Sequence, residues 1–597
     1  MLENGIMKRF YITLILAVII LGCKRQQDQP PMEGQTDELS AGKVDTLIAE
    51  IENGDVTAVV AAADAIETLG PKGAKAAPTL ASKLDDPQPW VRMACMHALQ
   101  AIGEPAVPSL LEAFRTGPGG APVRAVNVLG NIGPPARAVV PELRKALQER
   151  PESLHSWIEG ALAKIEGSTQ AGVEGELQQG EKVVLPAEPP ITADNRDWPQ
   201  FHGPNRDSIC RETGLNTDWN QNPPALLWKI EGLGIGYSSI SIADGKIFTM
   251  GDRKGTDGNT AQFVLAYDLQ NQKELWATHI GPGHKDGPRS IPTVDGEFLY
   301  ALGTEGDLVC LDTATGTEHW RKNLPNDFGG KMMSRWKFSE SPLVDGQRLI
   351  CTPGGAEATL VALDKKTGSV IWKCAVPALG EKGNDGAGYA SAIAAEIDGV
   401  RQYIQLIGRG LVGVEAETGK FLWGYNGIAN RTANIPMPVV REQYVFTTTN
   451  YNTGSALLRI SRVDDTFHVK EMYTLTGRQF ENHHGGVVFV GNHVYGGHGN
   501  SRGEPACVDV ATGKIMWRGK APERGSASII YADGHLWFRY DRGLVALIEA
   551  TPEAFRLKGT FQPLTGTGPA WAHPVILDGK LYLRHGDLLA CYDVSGR

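Results

Sequence analysis

No stretch of this chain reaches the ~20 consecutive apolar residues that a helix needs to span a bilayer. The longest largely apolar run is the twelve residues 10–21. The eight cysteines include no CxxC, no CxxCH and no adjacent Cys-Cys pair, which excludes a zinc ribbon, c-type haem attachment and a vicinal disulfide. No long basic stripe occurs, and 58 Lys and Arg against 68 Asp and Glu leave a formal charge of −10. That balance argues against a nucleic-acid partner. No glycine-rich loop leads from a strand into a helix, so nucleotide hydrolysis has no support.

Glycine, by contrast, is abundant: 71 of 597 residues, against a typical ~7%. It shows no three-residue period, so collagen is excluded, and many tight turns point to an all-β body. A chain of this length exceeds one compact core, so at least two domains are expected.

Lys8 and Arg9 precede the apolar run, which ends Ile20-Leu21-Gly22-Cys23. Twelve apolar residues suit the h-region of a signal peptide. The ending resembles a bacterial lipobox, in which the cysteine receives lipid and becomes the new N-terminus. We read 1–22 as a lipoprotein signal peptide and Cys23 as the lipidation site. Residues 23–41 are then a polar tether, and the mature protein a cell-envelope protein held to a membrane and facing the periplasm.

Residues 42–166 read as helical pairs. Gly70, Gly103 and Gly133 recur where a helix C-cap favours positive φ. Pro78, Pro108 and Pro141 recur where a proline at the first helical position would start a second helix. Leu80, Leu110 and Leu143 each follow two residues after the proline. The pattern resembles HEAT repeats stacked in a short α-solenoid. Residues 167–196 lose this period and collect Gly, Gln, Glu and Pro, as a linker does.

From 197 to 597 the unit is small-x-D-x-x-T-G-x-x-x-W, set by Cys310…Asp312…Thr315-Gly316…Trp320 and repeated at Trp372 and Trp517, with weaker copies at Trp276 and Trp423. Aspartate and threonine offer oxygens to turn amides, glycine takes positive φ, and the chain reverses into a strand carrying tryptophan. The small position alternates between alanine and cysteine, so these cysteines are read as packing residues. Asp-Gly pairs at 244, 295, 345, 398, 533 and 578 mark a second hairpin in most units. Repeats of about 45–50 residues with four short strands are propeller blades. Eight begin near 237, 289, 339, 389, 434, 484, 526 and 572. In blades five and seven Tyr473, and Phe555 or Phe561, stand near the expected tryptophan. The eighth lacks its last strand, and 225–230 (ALLWKI, with Trp228) is a tryptophan strand without a blade. Joining the two closes the ring and removes an open edge. The fold class is therefore multidomain, a short HEAT-like α-solenoid followed by an all-β eight-bladed propeller, with Trp228, Trp276, Trp320, Trp372, Trp423 and Trp517 as docking residues.

These D-x-x-T-G-x-x-x-W repeats resemble the tryptophan-docking motifs of the pyrroloquinoline-quinone (PQQ)-binding-like, quinoprotein alcohol dehydrogenase-like propeller superfamily. Residues 197–207 (DWPQFHGPNRD) are similar to the lead-in of a planctomycete-type lipoprotein branch. The motifs are structural and specify no chemistry.

Residues at the start of each innermost strand should face the axial channel. They nominate Tyr237, Ser238, Arg289, Lys331, Glu340, Tyr389, Asn434, His483, His484, Trp571 and His573 as a channel-mouth binding set for a small molecule or protein. His483, His484, His498 and His573 are the candidate metal ligands, although their spacing matches no tight metal signature. The superfamily's dehydrogenases hold PQQ over Ca2+ beside an acidic base. The resemblance would give that role to Glu340, with Arg289, Lys331, Asn434 and a stacking Trp571 around the quinone. The missing cysteine pair, haem motif and acidic cluster weigh against it. The reading is a non-catalytic, membrane-anchored scaffold binding other envelope proteins, with no cofactor assigned. It resembles in plan the propeller lipoprotein of outer-membrane β-barrel assembly, which carries no HEAT segment. The alternative is a periplasmic PQQ-dependent oxidoreductase. Each buried methylene contributes ~0.8 kcal/mol, so several acyl chains hold firmly. Cys23→Ser should therefore release the protein from washed membranes; equal retention of the variant would refute lipidation.

Overall fold

A computed structural model describes residues 34–150, 154–166, 183, 185 and 197–596. The signal segment, Cys23 and most of 167–196 lie outside them. The chain divides into two units, 1–174 and 175–597. Among the described residues no helix is long and apolar enough to cross a membrane.

The first unit is a stack of helical pairs: Val56–Leu69 with Ala77–Ser82, Pro89–Ile102 with Val107–Thr116, and Ala121–Ile132 with Val140–Glu149. Gly34–Asn53 precedes them and His155–Glu166 follows. Gly70, Gly103 and Gly133 end the first helix of each pair at φ +57°, +75° and +74° with ψ near −140°, a region that side chains with a Cβ essentially avoid. The prolines sit one position later than expected. Each second helix is fed by a 3₁₀ turn and begins at Ala77, Val107 or Val140, so Pro78, Pro108 and Pro141 are its second residues. An amide there is also without an intrahelical partner, so proline costs no hydrogen bond. Leu80, Leu110 and Leu143 are fully buried in the shared core.

The second unit is eight antiparallel sheets, numbered here as blades in chain order. Blade 2 shows the plan: Thr293–Asp295, Phe298–Leu302, Asp307–Asp312 and Glu318–Asn323, from axis to rim. In the other blades the second strands run Lys246–Lys254, Arg348–Cys351, Val400–Ile407, Tyr444–Thr449, His493–His498, His535–Tyr540 and Lys580–His585. Blade 8 takes its outer strand, Ala225–Ile230, from the start of the unit; it pairs antiparallel with Leu588–Asp593 and closes the ring.

Each outer strand bulges at its tryptophan, and the residue opposite is always small. Trp276 faces Ala266, Trp320 faces Cys310, Trp372 faces Ala362, Trp423 faces Gly413, Trp517 faces Cys507 and Trp228 faces Cys591. The indole then reaches the next blade. Trp276, Trp320, Trp372 and Trp517 donate Nε1–H to the carbonyls of Thr313, Lys365, Ala416 and Thr551 at 2.7–3.2 Å. A Cβ on Gly316, Gly368 or Gly419 would stand 2.5–2.8 Å from the preceding indole, so only glycine fits beneath it. Tyr473 makes the equivalent bond from blade 5, its hydroxyl donating to the Val510 carbonyl at 2.9 Å. Trp423 departs from the pattern and donates to Gln402 within its own blade, because blade 5 carries a longer hairpin, Gly454–Val463 with Thr466–Leu475, in place of the turn.

Blade 7 differs from the expectation of Phe555 or Phe561. The register puts Gly559 in the tryptophan slot, opposite Leu547. Trp219, from the segment before the ring, fills that slot with its Cβ over Gly559 and its ring edge-on to Trp537 and Phe561. Phe555 packs on Trp517 instead. Trp219 is 2% exposed, so Trp219→Ala should lower unfolding stability by ~3–5 kcal/mol. Trp157→Ala, at an exposed position in the helical unit, should leave the propeller transition in place. Urea unfolding resolves the two, and an unshifted propeller midpoint in Trp219→Ala would remove the slot-filling role.

Candidate functional site

The start of an innermost strand lies beside the end of the second strand, because the two are antiparallel. Both, with the loops between blades, converge around the axis. They build an annulus there. Tyr237 of blade 1 lies 4.6 Å from Trp571 of blade 8, ring centre to ring centre, and Trp571 lies 5.2 Å from His484 of blade 6. His484 lies 4.6 Å from His483, whose Nε2 is 3.1 Å from the Tyr451 hydroxyl of blade 5. Tyr451 and Trp336 both pack on the Met333, Tyr389 and Ala433 cluster, and Trp336 meets Tyr389 edge-on. Arg289 of blade 2 completes the circuit, its guanidinium 5.7 Å above the Tyr237 ring while Nη1 donates to the Trp336 carbonyl at 3.1 Å. Blade 7 contributes Ser526, 2.7 Å from His483 Nδ1, and Asp541, 3.6 Å from His484 Nε2.

Burial sets the charge of this ring. It pulls His483 down to about 4 and, with Arg289 and the other imidazoles nearby, holds His484 well below its ordinary value; both are neutral at pH 7. Burial raises Asp541 to about 7. Arg289 is ion-paired with Asp286 at 3.0 Å. The annulus is therefore a band of π faces and neutral donors or acceptors with one ion-paired arginine, Arg289.

Beneath it runs the segment 197–210. Trp198 pairs with Ile242 of blade 1, the Pro199 carbonyl accepts from Val294 of blade 2, and the Ser208 carbonyl accepts from Tyr531 of blade 7. Ile209–Cys210 adds a parallel strand to that blade. Arg206 donates to the Ser341 and Pro342 carbonyls of blade 3 at 2.7 and 3.0 Å. His202 Nε2 stands 3.2 Å from His573 Nδ1, and His573 Nε2 is 3.2 Å from the His484 carbonyl. The segment thus crosses the inner strands of five blades and gives the annulus a floor. Two more buried arginines brace it, Arg584 on the Ser238 carbonyl at 3.0 Å and Arg539 on that of Ala572 at 3.0 Å.

The structure brings Tyr237, Arg289, Tyr389, His483, His484 and Trp571 together and places the other nominated residues elsewhere. Ser238 is buried below the ring, and His573 is spent on His202 and the His484 carbonyl. Asn434 is fully buried, its amide bracing the Ile407 and Gly408 carbonyls. His498 lies inside blade 6, accepting from the Glu481 amide. Lys331 is exposed on the rim, 4.0 Å from Asp385. Glu340 is 3% exposed; its carboxylate accepts from the Thr352 amide at 2.7 Å, the Thr352 hydroxyl at 3.0 Å and Gln405 at 3.2 Å. The inner-strand reading missed Trp336, Tyr451 and Asp541. Tyr451 and Asp541 follow second strands, and Trp336 sits on an inter-blade loop, and neither location carries a repeat marker.

A calcium-bound quinone needs a cage of six to eight oxygens. Asp286 is taken by Arg289, Asp541 by the Ser526 amide, and Glu340 by Thr352 and Gln405. Among the described residues no group of three or more His, Cys, Asp or Glu side chains is placed to hold a metal ion. The residues present do not fit a calcium–quinone pair.

The family described as outer membrane protein assembly factor BamB matches residues 260–519, and HEAT repeats match 44–126. The BamB of Xanthomonas campestris pv. campestris is 30% identical over 113 residues, 17% of this chain and 26% of that protein's length. Among solved structures, BamB from Moraxella catarrhalis has 13% identity, a TM-score of 0.45 and coverage of 62% of this chain and 99% of that one. A europium-containing methanol dehydrogenase has 12%, 0.48, 66% and 90%, and the quinohemoprotein alcohol dehydrogenase of Comamonas testosteroni has 14%, 0.47, 68% and 81%. The protein carries an eight-bladed propeller, whose residues 260–519 match the BamB family model, with N-terminal HEAT repeats.

Burial raises the Glu340 carboxyl from 4.5 to about 7. Between those values the folded protein keeps a proton that the unfolded chain has released, so stability falls as pH rises through the window. Asp541 adds the same sign. The buried histidines, held low, contribute the opposite sign below about pH 6.5, so the Glu340 share is read as a difference. The urea midpoint of wild type relative to Glu340→Gln should fall from pH 5 to pH 8, and a difference that does not change with pH would place the Glu340 titration elsewhere.

Proposed function

We propose that this protein is a non-catalytic, membrane-anchored scaffold of the cell envelope that binds partner proteins at the mouth of its propeller. The observation that carries the reading is the floored annulus. Its rings and Arg289 form a recognition surface, while the nominated base, Glu340, is buried and hydrogen-bonded to Thr352 and Gln405. Aromatic side chains and arginine are what protein-binding surfaces concentrate at their centres. The BamB-type match over 260–519 and the Xanthomonas relative, an outer membrane protein assembly factor by name, support an envelope-assembly role. The lipid anchor at Cys23 and the partner-binding role of the helical repeats belong to the same reading.

A photo-crosslinking residue at position 571, in full-length protein in its native membranes, should give adducts identified by mass as envelope-assembly proteins. The same residue at position 558, on the outer strand of blade 7, should not. Dye-linked oxidation of an alcohol and aldehyde panel with added PQQ and calcium should stay at background. Turnover that disappears in Glu340→Gln would overturn the scaffold and establish the oxidoreductase.

A further inference from the structure

The annulus is not uniform around the axis. On the sector over blades 3, 4 and 5 the loop from Lys331 to Phe338 lies against residues 384–389. Met332 bridges Ala387, and the Lys331 carbonyl accepts from the Ala387 amide at 2.8 Å. Ser334 ties the loop to blade 4 through the Tyr389 hydroxyl at 2.7 Å and to the next loop through the Thr432 carbonyl at 2.6 Å. This fixes two rings, Trp336 and Tyr389, and sets Arg335 above the Trp336 face at 5.0 Å. Arg335 is exposed, and among the described residues its guanidinium makes no ion pair or hydrogen bond. Its charge lowers both the Tyr389 and the Tyr451 hydroxyl against the larger rise that burial imposes.

The neighbouring charges reinforce it. Arg431 is exposed and likewise without an ion pair among the described residues, and Lys331 and Arg409 share the single carboxylate of Asp385 at 4.0 and 2.7 Å. Four cations thus stand against Asp385 and the buried Glu481 beside Tyr451, with Glu381 and Lys382 and the Lys337–Glu305 pair cancelling, on a protein whose net charge is −10. Such a local inversion of sign steers and orients a negatively charged partner. The rings are inset: Tyr389 is 8% exposed and Trp336 half-buried. Inset rings present faces to an arriving side chain but cannot insert into a bilayer as interfacial aromatics do.

From these observations we propose that the sector over blades 3–5 binds an acidic, aromatic-bearing peptide segment of a partner protein, its carboxylates on Arg335 and the Arg431 side of the rim and its ring against Trp336 and Tyr389. This rests on the scaffold reading and names the chemistry of its partner.

The test uses full-length protein and two fluorescent synthetic peptides, one with phenylalanine flanked by Asp and Glu and an isomer with the flanks replaced by Lys. The acidic peptide should bind about tenfold or more tightly than the basic one, an affinity that weakens as salt rises. Arg335→Glu should cost the acidic peptide about tenfold, Arg335→Lys should cost less, and Lys558→Glu should change nothing. Arg335 is exposed, so circular dichroism and the urea midpoint should confirm that its variants fold as the wild type does. Equal binding of both peptides, or indifference to Arg335→Glu, would overturn the proposal. So would sedimentation with phosphatidylglycerol vesicles that depends on Arg335, which would make the sector a lipid contact. If the peptides fail while the position-571 adducts persist, the site alone is wrong; if the adducts also vanish, the scaffold reading falls with it.

Discussion

The ring stands on one contact made again and again: the indole of one blade lying on the threonine-glycine turn of the next. An eight-bladed ring has no single core, because each sheet packs only on its two neighbours, so the blade-to-blade contact must be strong and repeatable. The tryptophan supplies a large apolar face for the glycine and one donor for a turn carbonyl, which leaves no buried polar group unpaired. The bulge that aims it forces the opposite residue to be Ala, Cys or Gly. The seven described cysteines are all buried and free, and three of them are simply the small residue under an indole. Where the contact cannot be made in register, the chain replaces it: Tyr473 substitutes in blade 5, and Trp219 enters blade 7 from outside the repeat.

The same geometry explains why the mouth is rigid. Docked blades fix where each inner strand begins, and the segment beneath locks those beginnings to one another. Arg206 and Arg584 remain charged although burial pulls both down to about 10. A buried cation is costly unless carbonyls surround it. Here the carbonyls are those of the inner strands, so satisfying the arginines and holding the annulus are one arrangement. A surface held this way loses little conformational freedom when a partner arrives, which favours binding by pre-formed groups.

Much of this was legible in the sequence because a repeat samples the same physics several times. The eight blades, the closing strand 225–230 and the glycine-capped helical pairs follow from local rules of turns, caps and strand edges. Tyr237, Arg289, Tyr389, His483, His484 and Trp571 were found because they precede or open innermost strands, a position the repeat marks. Trp336, Tyr451 and Asp541 were not, because loop lengths differ from blade to blade and no marker follows them.

The sequence by itself determined the architecture, since turn chemistry and alternation act over a few residues and need no distant partner. It could not determine which polar residues face solvent and which are consumed inside. Glu340, Asn434 and His573 precede inner strands as the annulus residues do, yet they end buried, spent on Thr352 and Gln405, on the Ile407 and Gly408 carbonyls, and on His202. That outcome depends on partners in other strands, 12 and 65 residues away for Glu340 and 27 and 26 away for Asn434, and, for His573, on the segment 197–210, whose His202 lies 371 residues earlier. Only the closed tertiary structure brings these partners together, because hydrogen bonds between residues so far apart leave no periodic trace in the chain.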